Sequence, residues 1–100
     1  MPKGYWIAHI DVIDLEGYNT YMAAALSLIG KFGGRFLVRG GNNEKPEGAI
    51  RSRSVVIEFP SYEEALGCYH SSDYEAAAAN RVGCAEFDLI VIEGYEDAQP

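Results

Sequence analysis

Apolar and polar positions alternate along Tyr5-Trp6-Ile7-Ala8-His9-Ile10-Asp11-Val12, with Trp6, Ala8, Ile10 and Val12 on one side. A period of two in aromatic and β-branched residues predicts a strand with one apolar and one mixed face. The period then lengthens. Tyr18, Met22, Ala25, Ile29 and Phe32 recur at helical spacing, flanked by Tyr21 and Leu28, which predicts an amphipathic helix. Asp14 is placed to cap its first turn, and Gly33-Gly34 to end it, because glycine takes a left-handed conformation without steric cost. Arg35–Arg39 reads as a second strand, closed by Gly40-Gly41-Asn42-Asn43. The polar, aperiodic stretch to about Ser52 predicts a long hairpin loop. Ser54–Phe59 is a third strand, stopped by Pro60, which has no ladder donor. Ser61 and Glu64 have the spacing of a capping box, opening a helix whose buried stripe is Ala65, Leu66 and Tyr69. Ser71-Ser72 interrupts that helix, and Ser72 with Glu75 is spaced for a second cap. Alanines 76–79 carry the helix on to about Arg81, Gly83 ends it, and Phe87–Glu93 forms the last strand.

The order is β-α-β-β-α-β with the second helix in two pieces, in a single domain over residues 1–95 followed by a loose tail at 96–100. A four-stranded antiparallel sheet with the helices on one face is the simplest packing of that order. One sheet face is then almost wholly apolar: Trp6, Ala8, Ile10 and Val12; Phe36 and Val38; Val55, Ile57 and Phe59; Phe87, Leu89 and Val91. It belongs under the helices, since its burial is the main favourable term in folding. The other face mixes Tyr5, Ile7, His9 and Asp11 with Arg35, Leu37 and Arg39, then Val56, Glu58, Asp88, Ile90 and Ile92. Five of these are aliphatic, too many to leave in water as one patch. A second subunit is expected to cover them, so that the chain forms an isologous homodimer.

Several segments resemble one family. Gly4-Tyr5-Trp6-Ile7-Ala8, the run Gly33–Gly41, Val55-Val56-Ile57-Glu58-Phe59-Pro60-Ser61, Cys68-Tyr69-His70-Ser71, Tyr74, Arg81 and the run Asp88–Gly94 are similar to the domain-of-unknown-function family 1330. The resemblance spans nearly the whole chain. It implies an α+β, ferredoxin-like subunit of the dimeric α/β-barrel superfamily, in which two sheets close face to face. That superfamily holds cofactor-free monooxygenases, lactone isomerases, haem-handling proteins and ligand-binding regulatory domains, so the fold does not name a reaction. It supplies no catalytic residue to carry over.

Charge narrows the partners. Fifteen acidic against eight basic residues give a net charge of −7, which disfavours affinity built on phosphate neutralisation and argues against nucleic acid. No apolar run is long enough to span a membrane. No targeting segment is visible and Cys68 and Cys84 lack framework spacing, so a cytoplasmic protein with free thiols is expected. Six of the eight basic residues fall between positions 31 and 53. They would form either an anion-attracting rim or a basic edge that meets an acidic partner edge.

On the mixed face, His9, Arg39 and Glu58 occupy strands that neighbour one another in the order 4-1-3-2. A buried imidazole beside a carboxylate and a guanidinium would hold or protonate a small polar ligand. The same three would equally serve as an ion-pair network that sets dimer register. Tyr69, His70, Tyr74 and Arg81 gather near the helix break, as an anion site or as caps and snorkelling side chains. Cys68 and His70 have no matching ligand pair for a metal, Cys84 has no base nearby in sequence, and no cofactor is expected. The function expected is a homodimeric barrel that binds a small polar or acidic organic molecule. The alternative is a cofactor-free enzyme, isomerase or monooxygenase-like, with His9 as acid or base.

Overall fold

The computed structural model describes residues 2–100. Its elements run β1 Gly4–Val12, α1 Leu15–Lys31, β2 Arg35–Arg39, β3 Arg53–Phe59, α2 Tyr62–His70, α3 Ser72–Ala78, a 3-10 turn Ala79–Arg81, and β4 Ala85–Glu93. The strands make one antiparallel sheet in the order β2-β3-β1-β4. This is the β-α-β-β-α-β ferredoxin-like arrangement expected from the pattern. β3 and β4 begin slightly earlier than the alternation suggests, at Arg53 and Ala85.

Side-chain caps start each helix. The Asp14 carboxylate accepts from the Glu16 N–H at 3.1 Å, and Ser61 Oγ from the Glu64 N–H at 3.1 Å. At the break it is Ser71, not Ser72, that caps α3, through Tyr74 N–H to Ser71 Oγ at 3.1 Å. The correction has a simple cause. Ser71 is the residue with extended backbone (φ −66°, ψ 146°), so only its hydroxyl can reach back to the first turn.

The helices pack on the sheet face that carries Trp6, Ala8 and Ile10 of β1 and Val55, Ile57 and Phe59 of β3, all buried. Trp6 is the hub. Its indole N–H donates to the Ala65 carbonyl at 2.9 Å, and its ring meets Phe59, Tyr69 and Tyr74 at centroid distances of 5.1, 5.8 and 5.0 Å. The predicted α2 stripe shifts by one helical step: Ala65 and Cys68 are fully buried, and Leu66 and Tyr69 only partly.

β2 departs from simple alternation. Phe36 pairs with Ile57, but Val38 pairs with Val56 and Arg39 with Val55, so Leu37 is one residue too many. Such a bulge flips every later side chain to the other face. Val38, expected under the helices, is 43% exposed on the open face. Arg39, expected on the open face, lies on the helix side, its guanidinium carbon 4.7 Å from the Phe36 ring centroid. The open face consequently carries a continuous aliphatic row across all four strands: Val38, Val56, Ile7 and Ile90.

The loop between β2 and β3 has no regular structure, and its end is clamped to the sheet. Arg51 reaches Asp11 and Asp88 at 3.0 Å each and Glu86 at 3.6 Å, while Ser52 N–H donates to Asp11 at 2.9 Å. Hydrogen bonding to Ser52 first, then to Arg51, lowers the Asp11 pKa below the ordinary carboxylate value. Among the described residues, no helix is long and apolar enough to cross a membrane.

Candidate functional site

Beneath α1 the sheet presents three rows of side chains: Phe36-Ile57-Trp6-Val91, then Arg39-Val55-Ala8-Leu89, then Arg53-Ile10-Phe87. Ala8 is the small residue at the centre, between Trp6 and Ile10 on the same strand. A cleft opens there, roofed by Tyr18, Tyr21, Met22 and Ile29 of α1. Its cavity volume is about 20 Å³, room for about one water molecule. The cleft is therefore narrow, with mostly apolar walls.

Arg39 and Arg53 are the charged groups in those walls. Arg39 is exposed and Arg53 half-buried. Among the described residues neither has a carboxylate within ion-pair distance, although the chain carries fifteen acidic side chains. Arg53 Nε is buried with no protein partner, as is the Tyr18 hydroxyl. Gly40 seats the Arg53 head. It adopts φ +66°, a backbone conformation that calls for glycine, and the guanidinium occupies the space a Cβ would take.

A second polar cluster adjoins the cleft through Tyr21 and Phe87. The Tyr21 and Tyr74 hydroxyls lie 2.6 Å apart. Arg81 stacks over Phe87 at 3.9 Å and Tyr21 at 5.2 Å. Burial, and then the neighbouring Tyr74, hold the Tyr21 pKa well above the ordinary phenol value, so it remains a neutral hydrogen-bonding group. Burial opposes the charge on Arg81, but Tyr74 and Tyr21 outweigh it and its pKa is raised.

The three residues singled out on the mixed face do not meet. His9 pairs across strands with Ser54, and its Nδ1 lies 2.8 Å from Ser54 Oγ. Glu58 sits further along β3 opposite Tyr5, accepts from the Tyr5 hydroxyl at 3.0 Å, and binds Arg35 at 3.2 Å. Arg39 is on the other side of the sheet because of the bulge. Near the helix break, Tyr69 and His70 line a shallow groove with Tyr74, while Arg81 turns to the aromatic cluster. Among the described residues, no group of three or more His, Cys, Asp or Glu is arranged to hold a metal ion.

Arg53 and Tyr18 are the cleft residues that the sequence reading passed over. The signal for Arg53 was present: the alternation of Phe59, Ile57 and Val55, carried two positions back, puts Arg53 on the covered face. Tyr18 belonged to the helical stripe, but nothing in the pattern marks a hydroxyl that finds no partner.

A family model, Domain of unknown function (DUF1330), matches residues 3–95. The chain belongs to the DUF1330 family. No curated protein matches the DUF1330 chain in sequence. Its fold is similar to that of a protein of unknown function from Rhodopseudomonas palustris, with 14% identity and a TM-score of 0.74 over 96% of this chain and 85% of that one. It is similar also to a dimeric protein of unknown function with a ferredoxin-like fold from Bacteroides fragilis, at 16% identity and TM-score 0.59 over 91% and 95% of the two chains. SnoaB, a cofactor-independent oxygenase from Streptomyces nogalater, has 8% identity and TM-score 0.64, with 97% of each chain covered. At these identities the likeness concerns the fold of the DUF1330 chain alone.

Proposed function

We propose that this protein is a homodimer that binds a small organic acid in the cleft between α1 and the sheet. The observation that carries the binding reading is the pair of guanidiniums, Arg39 and Arg53, set into mostly apolar walls and, among the described residues, without carboxylate partners. A bound carboxylate would supply the missing counter-charge in bidentate geometry, and the ligand's apolar body would lie on Val55, Ile57 and Leu89. Dimerisation rests on the open face. Leu37, Val38, Ile90 and Ile92 are 46, 43, 52 and 43% exposed there, beside half-buried Ile7 and Val56, and the occupant is a second copy of this chain. The dimeric Bacteroides fragilis protein of the same fold supports that reading.

A thermal-shift screen of small organic acids and their neutral amides tests the site. Acids should raise the melting temperature by mass action and amides should not. Arg53→Gln should abolish the shift. If acids and amides act alike, or the shift survives Arg53→Gln, the cleft is not an acid site.

A second reading is a cofactor-free enzyme with His9 as acid or base. It draws on the fold shared with SnoaB and on Ser54, which orients His9 Nδ1. In that reading the reaction runs on the open face, away from the arginines, and turnover must vanish in His9→Ala.

A further inference from the structure

We infer that the long connection between β2 and β3 is a dimerisation arm: residues 41–50 extend the open face past the end of the sheet and lie against the second copy. The inference rests on the homodimer reading above and adds a contact segment to it. The first support is how little the arm does on its own subunit. From β2 to β3 the chain runs thirteen residues without regular structure, a length that is uncommon in a compact domain and usually functional. All ten residues from 41 to 50 are exposed. Asn43 donates to the Gly41 carbonyl at 3.2 Å, and Lys45 donates to Asn43 and to the Ser52 carbonyl at 3.4 Å. Among the described residues, none of the ten hydrogen-bonds to a helix or a strand. Ile50, the arm's one large aliphatic side chain, is left 41% exposed.

The second support is where the arm is aimed. Arg51 is drawn across the open face, because Asp11, Glu86 and Asp88, the three carboxylates it binds, all project from that side. The Ser52 hydroxyl adds a bond to the Ile10 carbonyl at 3.3 Å. A groove of about 550 Å³ is consequently shared by Lys45, Ala49 and Ile50 of the arm and by Asp11 and Asp88 of the sheet. Arm and aliphatic row front the same side of the molecule, so a copy seated on Val38, Val56, Ile7 and Ile90 meets the arm as well.

Area is the third support. Four strands of nine, five, seven and nine residues make a face of about 500 Å² in plan at ordinary strand rise and spacing. A stable dimer buries about 800 Å² on each subunit. The sheet alone falls short, and an exposed arm continuous with it supplies the difference. In an isologous pair both arms contribute.

Hydrogen exchange read by mass spectrometry, on the full-length protein and on Ile90→Asp as its monomer, tests this beside sedimentation. Backbone amides of 41–50 should exchange at least about tenfold more slowly in the wild-type dimer than in the monomer. Ile50→Ser should keep the wild-type melting profile of the subunit, since Ile50 lies outside the core, and weaken the dimer about tenfold, its exposed part being buried twice. Equal exchange of 41–50 in dimer and monomer, or a dimer as tight in Ile50→Ser as in wild type, overturns the inference and leaves a dimer held by the sheet alone. A monomeric wild type, or an Ile90→Asp that stays dimeric, removes the open-face dimer and the arm's role with it.

Discussion

Replacing Ile90 by aspartate probes the open face where its aliphatic row is most exposed. Ile90 lies at the β4 end of the row Val38-Val56-Ile7-Ile90 and is 52% exposed. Full burial of an isoleucine contributes about 1.5–3 kcal/mol, so covering the exposed half with a partner contributes about 0.8–1.6 kcal/mol. An isologous interface uses the residue twice, which doubles the figure to about 1.6–3 kcal/mol per dimer. That alone weakens the dimer about 15- to 200-fold, before the cost of burying two unpaired carboxylates is added. Sedimentation velocity across a micromolar dilution series should show wild-type dimer and Ile90→Asp monomer of 11.0 kDa. Ile13→Asp is the control, since Ile13 is 63% exposed but lies beyond the end of β1. The reasoning fails if the wild type is a monomer, if Ile90→Asp stays dimeric, or if Ile13→Asp dissociates it equally.

Ala8→Val should fill the centre of the cleft, costing about 1–3 kcal/mol by overpacking and eliminating acid-induced thermal shifts; a preserved shift would place the ligand elsewhere. At alkaline pH the Tyr21 phenol, held up by burial and Tyr74, keeps its proton in the folded chain while the unfolded chain loses its own near the ordinary phenol value of 10.0. Stability tied to it is full below that pH and falls above it by about 1.4 kcal/mol per pH unit. Urea unfolding between about pH 9 and 11 should show a shallower fall in Tyr21→Phe, and identical slopes would contradict this. Cys84 is half-buried, whereas Cys68 is fully buried with burial pushing its thiol up to about 11. Iodoacetamide near pH 8 should therefore label Cys84 first and Cys68 only on unfolding, as read by peptide mass; equal rates would argue against the buried placement.

Most of the fold was legible because each signal was local. The change of period at Asp14, the stop at Gly33-Gly34 and the serine at each α2–α3 boundary act within a turn of where they stand. The candidate site was less legible, because it depends on phase along a strand. In Arg35-Phe36-Leu37-Val38-Arg39 two adjacent aliphatic residues allow either side to be the covered one, and no glycine marks the bulge. Strict alternation therefore placed Arg39 with His9 and Glu58. On the sheet Glu58 is already engaged by Tyr5 and Arg35, and His9 by Ser54. That Arg53 has no ion-pair partner among the described residues is a property of three dimensions, set by a register that binds the nearby acids to Arg51 instead.

The extra residue in β2 also makes one short segment answer to two surfaces in counterpoint. Upstream of Leu37 the even position is inward and the odd position outward; downstream the sense is inverted. Closing the bulge with all five residues kept, a slip of one position, would carry Val38 inward and swing the Arg39 guanidinium out onto the aliphatic row. Subunit pairing and ligand charge would then change together, by one event, with no alteration at any other position. Register, more than side-chain identity, is what β2 has to keep.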